Sequence, residues 1–311
     1  MNTPRPPTES RPVQVLCVGH ASYDLFFSVP RHPEADEKIF AESLLSCGGG
    51  PAANAAVTAA RLGYTAAFAG YLGNDPYGQI HFEELRQEKV STDWIVRGPS
   101  PTPLSAILIK PDGKRALVNY KGGTEPLPAN SIVFSAAAPE VVLFDGHEPA
   151  VSGPLCAWAR SESIPTVLDA GSLHTGTDAL MFAVDFLVCS EKFARQWLGD
   201  NDPERALHRL AERSPAVVIT LGERGLIWKK GAESGRLAAF PVKAVDTTGA
   251  GDAFHGAFAA ALASGQNWQD ILRYASAAGA LCCTKAGARP GIPNREELES
   301  FLKSGKQWPS Y

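Results

Sequence analysis

The chain has 311 residues and a formal net charge of −4 at pH 7. This length suffices for one large α/β domain with an extensive core, and the charge excludes the positive surface typical of proteins that bind nucleic acid or anionic membranes. No apolar run approaches the ~20 residues that span a bilayer, and residues 1–10 lack the apolar core of a signal peptide. We therefore expect a soluble, cytoplasmic protein that acts on small neutral or anionic molecules.

The amino terminus and the cysteines further limit the class of protein. Residues 1–12 are rich in proline and polar side chains, which predicts a disordered tail before a single domain over 13–311. The cysteines have no metal-ligand spacing, so we expect small thiols packed in the core of a protein from a reducing compartment. They are Cys17, Cys47, Cys156, Cys189, Cys282 and Cys283.

Regular elements begin at Val13. Residues 13–20 and 65–73 are apolar runs typical of buried parallel strands, and the second is followed by a helical pattern over 77–88. Segments of helical length separate the later apolar runs. Because strands and helices alternate in this way, the sequence predicts an α/β fold with a doubly wound, mainly parallel sheet flanked by helices. The later runs are "PEVVLFDG", "PTVLDAG", "DFLVCS" and "PAVVITLG".

Two segments interrupt this alternation. Residues 24–45 and 103–121 have period-two patterns, and "PDG" in the second is typical of a hairpin turn. They predict a small β-sheet attached to the main one, as a lid or as an interface.

The stretch "GGGPAANAAVTAARLG" (48–63) predicts a helix that starts at Pro51 and stops at Gly63. Gly48, Gly49 and Gly50 would expose backbone N–H groups beside its N-terminus, which suits binding of hydroxyl groups or anions. Close packing of the helix on a sheet explains the same small residues equally well. The stretch is neither a dinucleotide-binding fingerprint nor a Walker loop, so a hydride-transfer enzyme is disfavoured.

A more specific pattern is "VDTTGAGDAFHGAF" (245–258). It follows the strand-like "FPVKAVD", and the apolar residues after Asp252 recur with helical period, so a helix begins at about Gly249. The first-turn N–H groups of Gly249, Ala250 and Gly251 then form an anion cradle that small side chains leave open. Asp252, at the edge of this cradle, is placed to take a proton from a hydroxyl group that receives a phosphoryl group.

Together these two stretches resemble the paired signatures of the ribokinase-like (PfkB) carbohydrate kinases, and the resemblance extends from about Val13 to Leu302. It implies a central sheet flanked by helices, a β-lid over the sugar, and phosphorylation of an alcohol group by Mg-ATP. By motif position it implies that Asp252 is the catalytic base and that residues 249–251 are the anion hole.

The resemblance also implies nucleotide and cation sites. "VITLGERG" is similar to the family's nucleotide segment, which places Thr220, Gly222 and Gly225 near ATP. Asp246 and Thr248, with the carbonyl groups of "TKAGARPGIP", resemble a site for a monovalent cation such as K⁺.

One departure concerns magnesium. The family's Asn-x-x-Glu pattern falls on "CSEKFARQ", where Ser190 replaces the Asn and Phe193 the Glu, and Glu191 is the nearest acid. We therefore expect Mg²⁺ to arrive on ATP and to be held through water molecules, as this ion prefers.

Sugar contacts follow from the first signature and the first strand. Asp24 matches a family carboxylate that accepts hydrogen bonds from sugar hydroxyl groups, and Gly49, Gly50 and Asn54 match the sugar-binding Gly-Gly and Asn. Asn54 lies among apolar neighbours, so its amide needs a polar partner.

Within the family, the pattern is closest to the sulfofructose kinase branch. Lys38 and Asn119 resemble positions that hold a sulfonate there, but Gly146 and His147 replace that branch's Arg. A histidine lacks the bidentate fork of arginine and is only partly charged at neutral pH.

Several functions therefore remain open. The favoured hypothesis is a sugar kinase that phosphorylates a ketose. The candidate substrates are sulfofructose, fructose, ribose and a ketodeoxy acid. A nucleoside kinase would need an aromatic pocket, which Phe26, Phe27 and Phe40 would have to supply. A sugar or nucleotide sensor without catalysis is the third possibility. Dimerisation through the lid is a further expectation.

Overall fold

The computed structural model describes residues 13–111, 113–134 and 138–304. The tail predicted for residues 1–12 and Asp112 of the predicted "PDG" turn lie outside these ranges.

Thirteen strands form within the described ranges. In chain order they are β1 (Val15–Gly19), β2 (Ser22–Ser28), β3 (Ser43–Gly49), β4 (Ala66–Gly73), β5 (Ser91–Gly98), β6 (Leu104–Ile109), β7 (Arg115–Tyr120), β8 (Val141–Phe144), β9 (Thr166–Ala170), β10 (Phe186–Ser190), β11 (Ala216–Thr220), β12 (Leu226–Lys230) and β13 (Glu233–Leu237).

Ten α-helices form in the same part of the chain, and a 3₁₀ turn covers Gly222–Arg224. Among the described residues, none of these helices is long and apolar enough to cross a bilayer. The helices are α1 (Pro51–Arg61), α2 (Pro76–Gln87), α3 (Pro149–Ser161), α4 (Thr175–Leu180), α5 (Glu191–Leu198), α6 (Pro203–Ala211), α7 (Ala250–Ala263), α8 (Trp268–Cys282), α9 (Ala288–Gly291) and α10 (Arg295–Lys303).

The main sheet has the order β13-β12-β11-β10-β9-β8-β1-β4-β5. All neighbouring strands are parallel except at one edge, where β12 and β13 are antiparallel. From β1 the chain builds outward first through β4 and β5 and then, on the other side, from β8. In such sheets ligands bind beside the carboxyl ends of the strands where the order reverses, which here is around β1 and β8. The predicted α/β fold is confirmed.

Apolar side chains fill both faces of this sheet. Val15 and Cys17 of β1 pack into one core cluster, whereas Leu16 and Val18 pack into the other. Helices α1 and α7 approach closely on the first face, because a Cβ atom on Gly256 would lie 2.4 Å from the carbonyl oxygen of Ala55. The small residues of both motifs therefore serve helix packing.

The second sheet, which we call the lid, has the order β3-β2-β6-β7 and includes the predicted hairpin of β6 and β7. The strand pattern expected across 24–45 is wrong for residues 29–42, which form no strand. Pro30 and Pro33 lie in this stretch and cannot donate to a ladder. "FPVKAVD" (240–246) is also not a strand. Instead its end is attached to α8, since the Val245 N–H donates to the Cys283 carbonyl at 2.7 Å.

The cysteines are free thiols. All are buried except Cys283, which is half-buried. Packing in the core, as expected from the sequence, is confirmed.

Candidate active site

Each of the three glycines before α1 is required by a different feature of its surroundings. A Cβ atom on Gly48 would lie 2.3 Å from the ring of His81, and one on Gly49 would lie 2.1 Å from the Asp24 carboxylate. Gly50 has φ +94°, and a Cβ atom there would lie 2.5 Å from a backbone oxygen of the turn after β1. Side chains are therefore excluded at the junction of the lid with α1, where Asp24 reaches the backbone.

Asp24 lies on the lid face that adjoins this junction. Its carboxylate is buried and accepts a 2.8 Å hydrogen bond from the Ser22 hydroxyl. Burial raises the pKa of Asp24, and bonds from Ser22 and Ser105 oppose this rise. Strand register places Asp24, Ser105 and Asn119 in one row across the sheet, so they share a face. Lys38 is exposed in the loop between β2 and β3.

The residues predicted to form the anion cradle lie at the start of α7. Gly249 caps the helix with φ +78°, and a Cβ atom on it would lie 2.6 Å from the Cβ of Ala288. Ala250 and Gly251 follow as the first helical residues. Gly251 is exposed, and a Cβ atom on it would meet nothing within 4 Å. The turn is therefore open to space at Gly251, while the Ala250 N–H donates to the Thr247 carbonyl at 3.3 Å.

Asp252 and Asn54 meet although they come from different signatures. The Asn54 side-chain amide, 2% exposed, donates to Asp252 Oδ2 at 2.8 Å. Burial raises the pKa of Asp252, while the Asn54 bond and the charge of His255 lower it; the charges of Asp24 and Asp145 raise it further. The structure thus brings the predicted base and a predicted sugar residue into direct contact.

Sequence reasoning missed Asp145, which organises the ends of β1 and β8. Its carboxylate accepts hydrogen bonds from the backbone N–H groups of His20 (2.7 Å), His147 (2.9 Å) and Ala52 (3.1 Å). Gly19 must lack a side chain, because its Cβ atom would lie 1.9 Å from this carboxylate. The available signal was an acid directly after a buried strand.

His147, predicted as a substrate residue, lies in a row of three imidazoles that we call the histidine row. The ring centroids of His20 and His147 are 5.0 Å apart, and those of His147 and His174 are 4.6 Å apart and stacked. Burial and the neighbouring His147 lower the pKa of His20 to about 4, and burial lowers that of His174. His20 and His174 are therefore neutral at pH 7.

His255 and Asp169, also missed, lie buried behind the start of α7. The His255 Nδ1 atom is 2.6 Å from the Gly251 carbonyl oxygen and 3.1 Å from Asp169 Oδ2, and its Nε2 atom is 3.1 Å from the Val188 carbonyl oxygen. Burial lowers the pKa of His255, whereas burial and the charge of Asp252 raise that of Asp169. This pair supports the helix turn that carries Asp252.

A mainly apolar cleft of about 600 Å³ opens beside the cradle, and we call it the nucleotide cleft. Thr220, Gly222 and Gly225, predicted to lie near ATP, line it together with Ala250 and Gly251. The coil that replaces the expected strand at 240–246 forms another wall. The other lining residues are Glu223, Leu226, Ala239, Phe240, Pro241, Val242, Ala244, Thr247, Phe254, Ser276, Gly279, Ala280 and Cys283.

The altered magnesium segment has a structural role at both changed positions. The Ser190 hydroxyl accepts from the Phe193 N–H (3.0 Å) as the cap of α5 and donates to the Gly171 carbonyl (2.8 Å). Phe193 is fully buried in the core. Glu191 forms an ion pair with Arg224 of the 3₁₀ turn. Within the described ranges, no group of three or more His, Cys, Asp or Glu side chains is arranged to hold a metal ion.

The two segments predicted to hold a monovalent cation are adjacent. Asp246 accepts hydrogen bonds from the N–H (2.9 Å) and hydroxyl (2.7 Å) of Thr248 and from the Gly287 N–H (2.9 Å). Arg115 of the lid lies 3.9 Å from the same carboxylate and donates to the Thr248 hydroxyl. A cation held here would share Asp246 with this guanidinium group.

The three phenylalanines that a nucleoside kinase would need for its aromatic pocket do not form one pocket. Phe26 is buried in the lid with Cys47 and Ile107, and Phe27 follows it on the opposite face of β2. Phe40 is 85% exposed in the loop before β3. A nucleoside kinase is therefore not favoured.

Comparison with known proteins places this site in context. The family model described as "pfkB family carbohydrate kinase" matches residues 13–295. A ribokinase of Bacillus subtilis is 30% identical over 293 residues, covering 93% of this chain and 99% of the relative, and a probable fructokinase-4 of Arabidopsis thaliana is 28% identical over 305 residues, covering 85% and 90%. The structure of Arabidopsis thaliana ribokinase complexed with ribose and ATP superposes with a TM-score of 0.82 at 26% identity, covering 94% of this chain and 99% of that one.

Proposed function

Because the chain belongs to the PfkB family of carbohydrate kinases, and is thus a phosphotransferase acting on a sugar hydroxyl group, we propose that it transfers the γ-phosphoryl group of Mg-ATP to a primary hydroxyl. One observation carries this proposal. Asp252, bonded to Asn54 at 2.8 Å, lies at the first turn of α7, whose Ala250 and Gly251 line the nucleotide cleft. Asp252 therefore lies between the proposed sugar-binding residues of α1 and the lid on one side and the nucleotide cleft on the other.

The proposed reaction is an in-line transfer. Asp252 accepts the proton of the sugar hydroxyl as the oxygen bonds to the γ-phosphorus, and the bond to the bridging oxygen of ADP breaks. The N–H groups of residues 249–251 stabilise the charge on the transferred group. Magnesium bound to ATP would neutralise part of the phosphate charge, and Glu191, engaged by Arg224, would contact it only through water.

For the acceptor we propose a ketose, sulfofructose or fructose, with ribose and ketodeoxygluconate as the alternatives. Asp24 would accept hydrogen bonds from sugar hydroxyl groups, and Asn119 lies in the same row of the lid. The histidine row, beside the turn that follows β1, would form the opposite wall. The relatives named above include both a ribokinase and a probable fructokinase. They support a pentose acceptor and a hexose acceptor to the same degree.

We also propose that two copies associate through their lids. Leu44, Val118 and Tyr120 are 56–69% exposed, and strand register places all three on the lid face opposite Asp24. A sheet face with such exposed apolar side chains needs a cover, and a second lid supplies one of matching chemistry. Val118→Glu should convert a dimer into a monomer in light scattering. A monomeric wild-type protein at working concentration would reject this proposal.

The function is tested by ADP release from Mg-ATP with sulfofructose, fructose, ribose, ketodeoxygluconate and nucleosides. One preferred sugar is expected, with Asp252→Asn as the control. That variant should lower turnover about 10²- to 10⁴-fold, the range for loss of a general base, and leave ATP affinity nearly intact. Turnover close to wild type in Asp252→Asn would remove Asp252 as the base. Binding of ATP without turnover of any acceptor would favour the sensor.

A further inference from the structure

A buried arginine lies beneath the sugar side of the site. Arg289 of α9 is 4% exposed, and its guanidinium group contacts side chains from two helices. Its Nε atom donates to Asn54 Oδ1 at 3.2 Å, its Nη2 atom is 3.2 Å from His81 Nε2, and its Nη1 atom is 3.9 Å from Glu84 Oε2. The Glu84 carboxylate also accepts from the Gly48 N–H at 2.6 Å. Arg289 thus connects Asn54, the partner of Asp252, with Glu84, which holds the backbone at Gly48 just before α1.

The contact with Asn54 fixes the direction of a hydrogen-bond chain. A guanidinium group only donates, so the amide oxygen of Asn54 must face Arg289. The amide nitrogen of Asn54 then faces Asp252 and donates to its Oδ2 atom at 2.8 Å. In the flipped orientation, the amide oxygen would face the Asp252 carboxylate and the amide N–H₂ would face the guanidinium group. Both contacts would be repulsive.

His81 is the acceptor in a second hydrogen bond from the Arg289 guanidinium group. Burial and the charge of Arg289 hold the pKa of His81 well below its usual range, so its imidazole is neutral and Nε2 carries the lone pair that meets Arg289. Only a planar, forked cation reaches Asn54, His81 and Glu84 together. A lysine at this position would keep the charge opposite Glu84 but lose the fixed set of donors.

We propose that Arg289 is a positioning residue for phosphoryl transfer, which holds the Asn54 amide in the orientation that donates to Asp252 and thereby keeps that carboxylate ionised and aimed at the acceptor hydroxyl. This inference rests on the proposed role of Asp252 as the base. Arg289 acts on the reaction through Asn54 and not by touching the phosphoryl group.

The pH profile of turnover distinguishes this role from mere packing. The charge of Arg289 also lowers the pKa of Asp24, and Arg289→Lys retains that charge. A shift of the acid limb in Arg289→Lys is therefore due to the lost contact with Asn54. The titratable groups that face Asp252 are His255 on its own helix, Asp24 on β2, Asp145 after β8, Asp169 on β9 and Cys282 on α8.

The experiment compares Arg289→Gln and Arg289→Lys with Arg61→Gln. Arg61 supports the same loop, donating to the carbonyl groups of Arg289 and Ile292 at 2.8 Å each, but it does not contact Asn54. Arg289→Gln should lower kcat about 10- to 100-fold, the effect of losing a hydrogen bond to a charged group, and move the acid limb of kcat to higher pH. Arg289→Lys should fall between wild type and Gln. Arg61→Gln should lower thermal stability and leave the acid limb in place.

A double-mutant cycle provides a second test if Arg289→Gln does not fold. Once Asn54→Ala has removed the amide, Arg289→Lys should have little further effect on kcat. Independent, multiplicative effects would overturn the proposal, as would an Arg289→Gln enzyme with wild-type kcat and acid limb. If instead Asp252→Asn keeps its activity, the proposed base is wrong, and that outcome is separate from any result at position 289.

Discussion

The substitution Gly251→Ala tests whether this glycine is needed for the backbone conformation or for open space in the site. Gly251 has no positive φ, unlike Gly249, and a Cβ atom on it would meet nothing within 4 Å. An alanine at a position of compatible backbone conformation stabilises by about 0.4–1 kcal/mol, chiefly by restricting the unfolded chain. For a domain of this size that corresponds to a rise in Tm of about 1 °C. The fold alone would therefore favour alanine.

The added methyl group would instead occupy the open side of the cradle, where the phosphoryl group must approach the N–H donors. We expect kcat to fall by at least about 10²-fold, comparable with the loss of one donor from an oxyanion site. Differential scanning fluorimetry and ADP release measure the two effects on the same sample. Gly249→Ala is the control and should lose stability, since its φ is +78° and its Cβ atom would lie 2.6 Å from that of Ala288. Wild-type kcat in Gly251→Ala would refute a cradle at this turn.

Three further predictions concern the carboxylates. Asp24→Asn should raise the KM for the sugar about 10- to 100-fold, as for the loss of a hydrogen bond to a charged group, and should leave the KM for ATP unchanged in steady-state kinetics. The acid limb of kcat/KM should lie above the usual carboxyl pKa of 3.8, because burial raises the pKa of Asp252; a profile flat down to pH 4 would contradict this. Glu148 is buried, and its pKa is raised to about 7 from 4.5 mainly by burial. The folded protein therefore binds this proton more tightly than the unfolded chain, and stability is lost as pH rises through this interval. Glu148→Gln should remove that loss, so its Tm advantage over wild type should grow between pH 5 and pH 8, and an advantage independent of pH would count against this account.

Local patterns predicted most of the main sheet and both helices of the site. The apolar runs at β1, β4, β8, β9, β10 and β11 and the starts of α1 and α7 depend on residues close in sequence, such as Pro51 and Gly249. The errors at 29–42 and 240–246 have the opposite cause. Both segments contain extended-looking sequence, but prolines or the absence of a partner strand prevent a ladder, and pairing is not encoded locally.

The supporting residues of the site could not be found from the sequence for the same reason. Asn54 and Asp252 are 198 residues apart, and Arg289 and Asn54 are 235 apart, so no spacing rule connects them. Asn54 did carry a signal, an amide among apolar neighbours, which demanded a partner without identifying it. Arg289 carried none, because an arginine between alanine and proline normally indicates an exposed loop.

The buried carboxylates give activity and stability opposite dependences on pH. Burial raises the pKa values of Asp24, Asp252 and Asp169, so the folded state is most stable when these groups are protonated. Proton transfer from a sugar hydroxyl requires Asp252 to be ionised. The enzyme therefore works in a pH range where its stability decreases as pH rises. Donors that approach these carboxylates offset the cost, as the Asn54 amide does for Asp252. Sugar hydroxyl groups reaching Asp24 would act in the same way, and sugar binding should therefore stabilise the protein more at pH 8 than at pH 5.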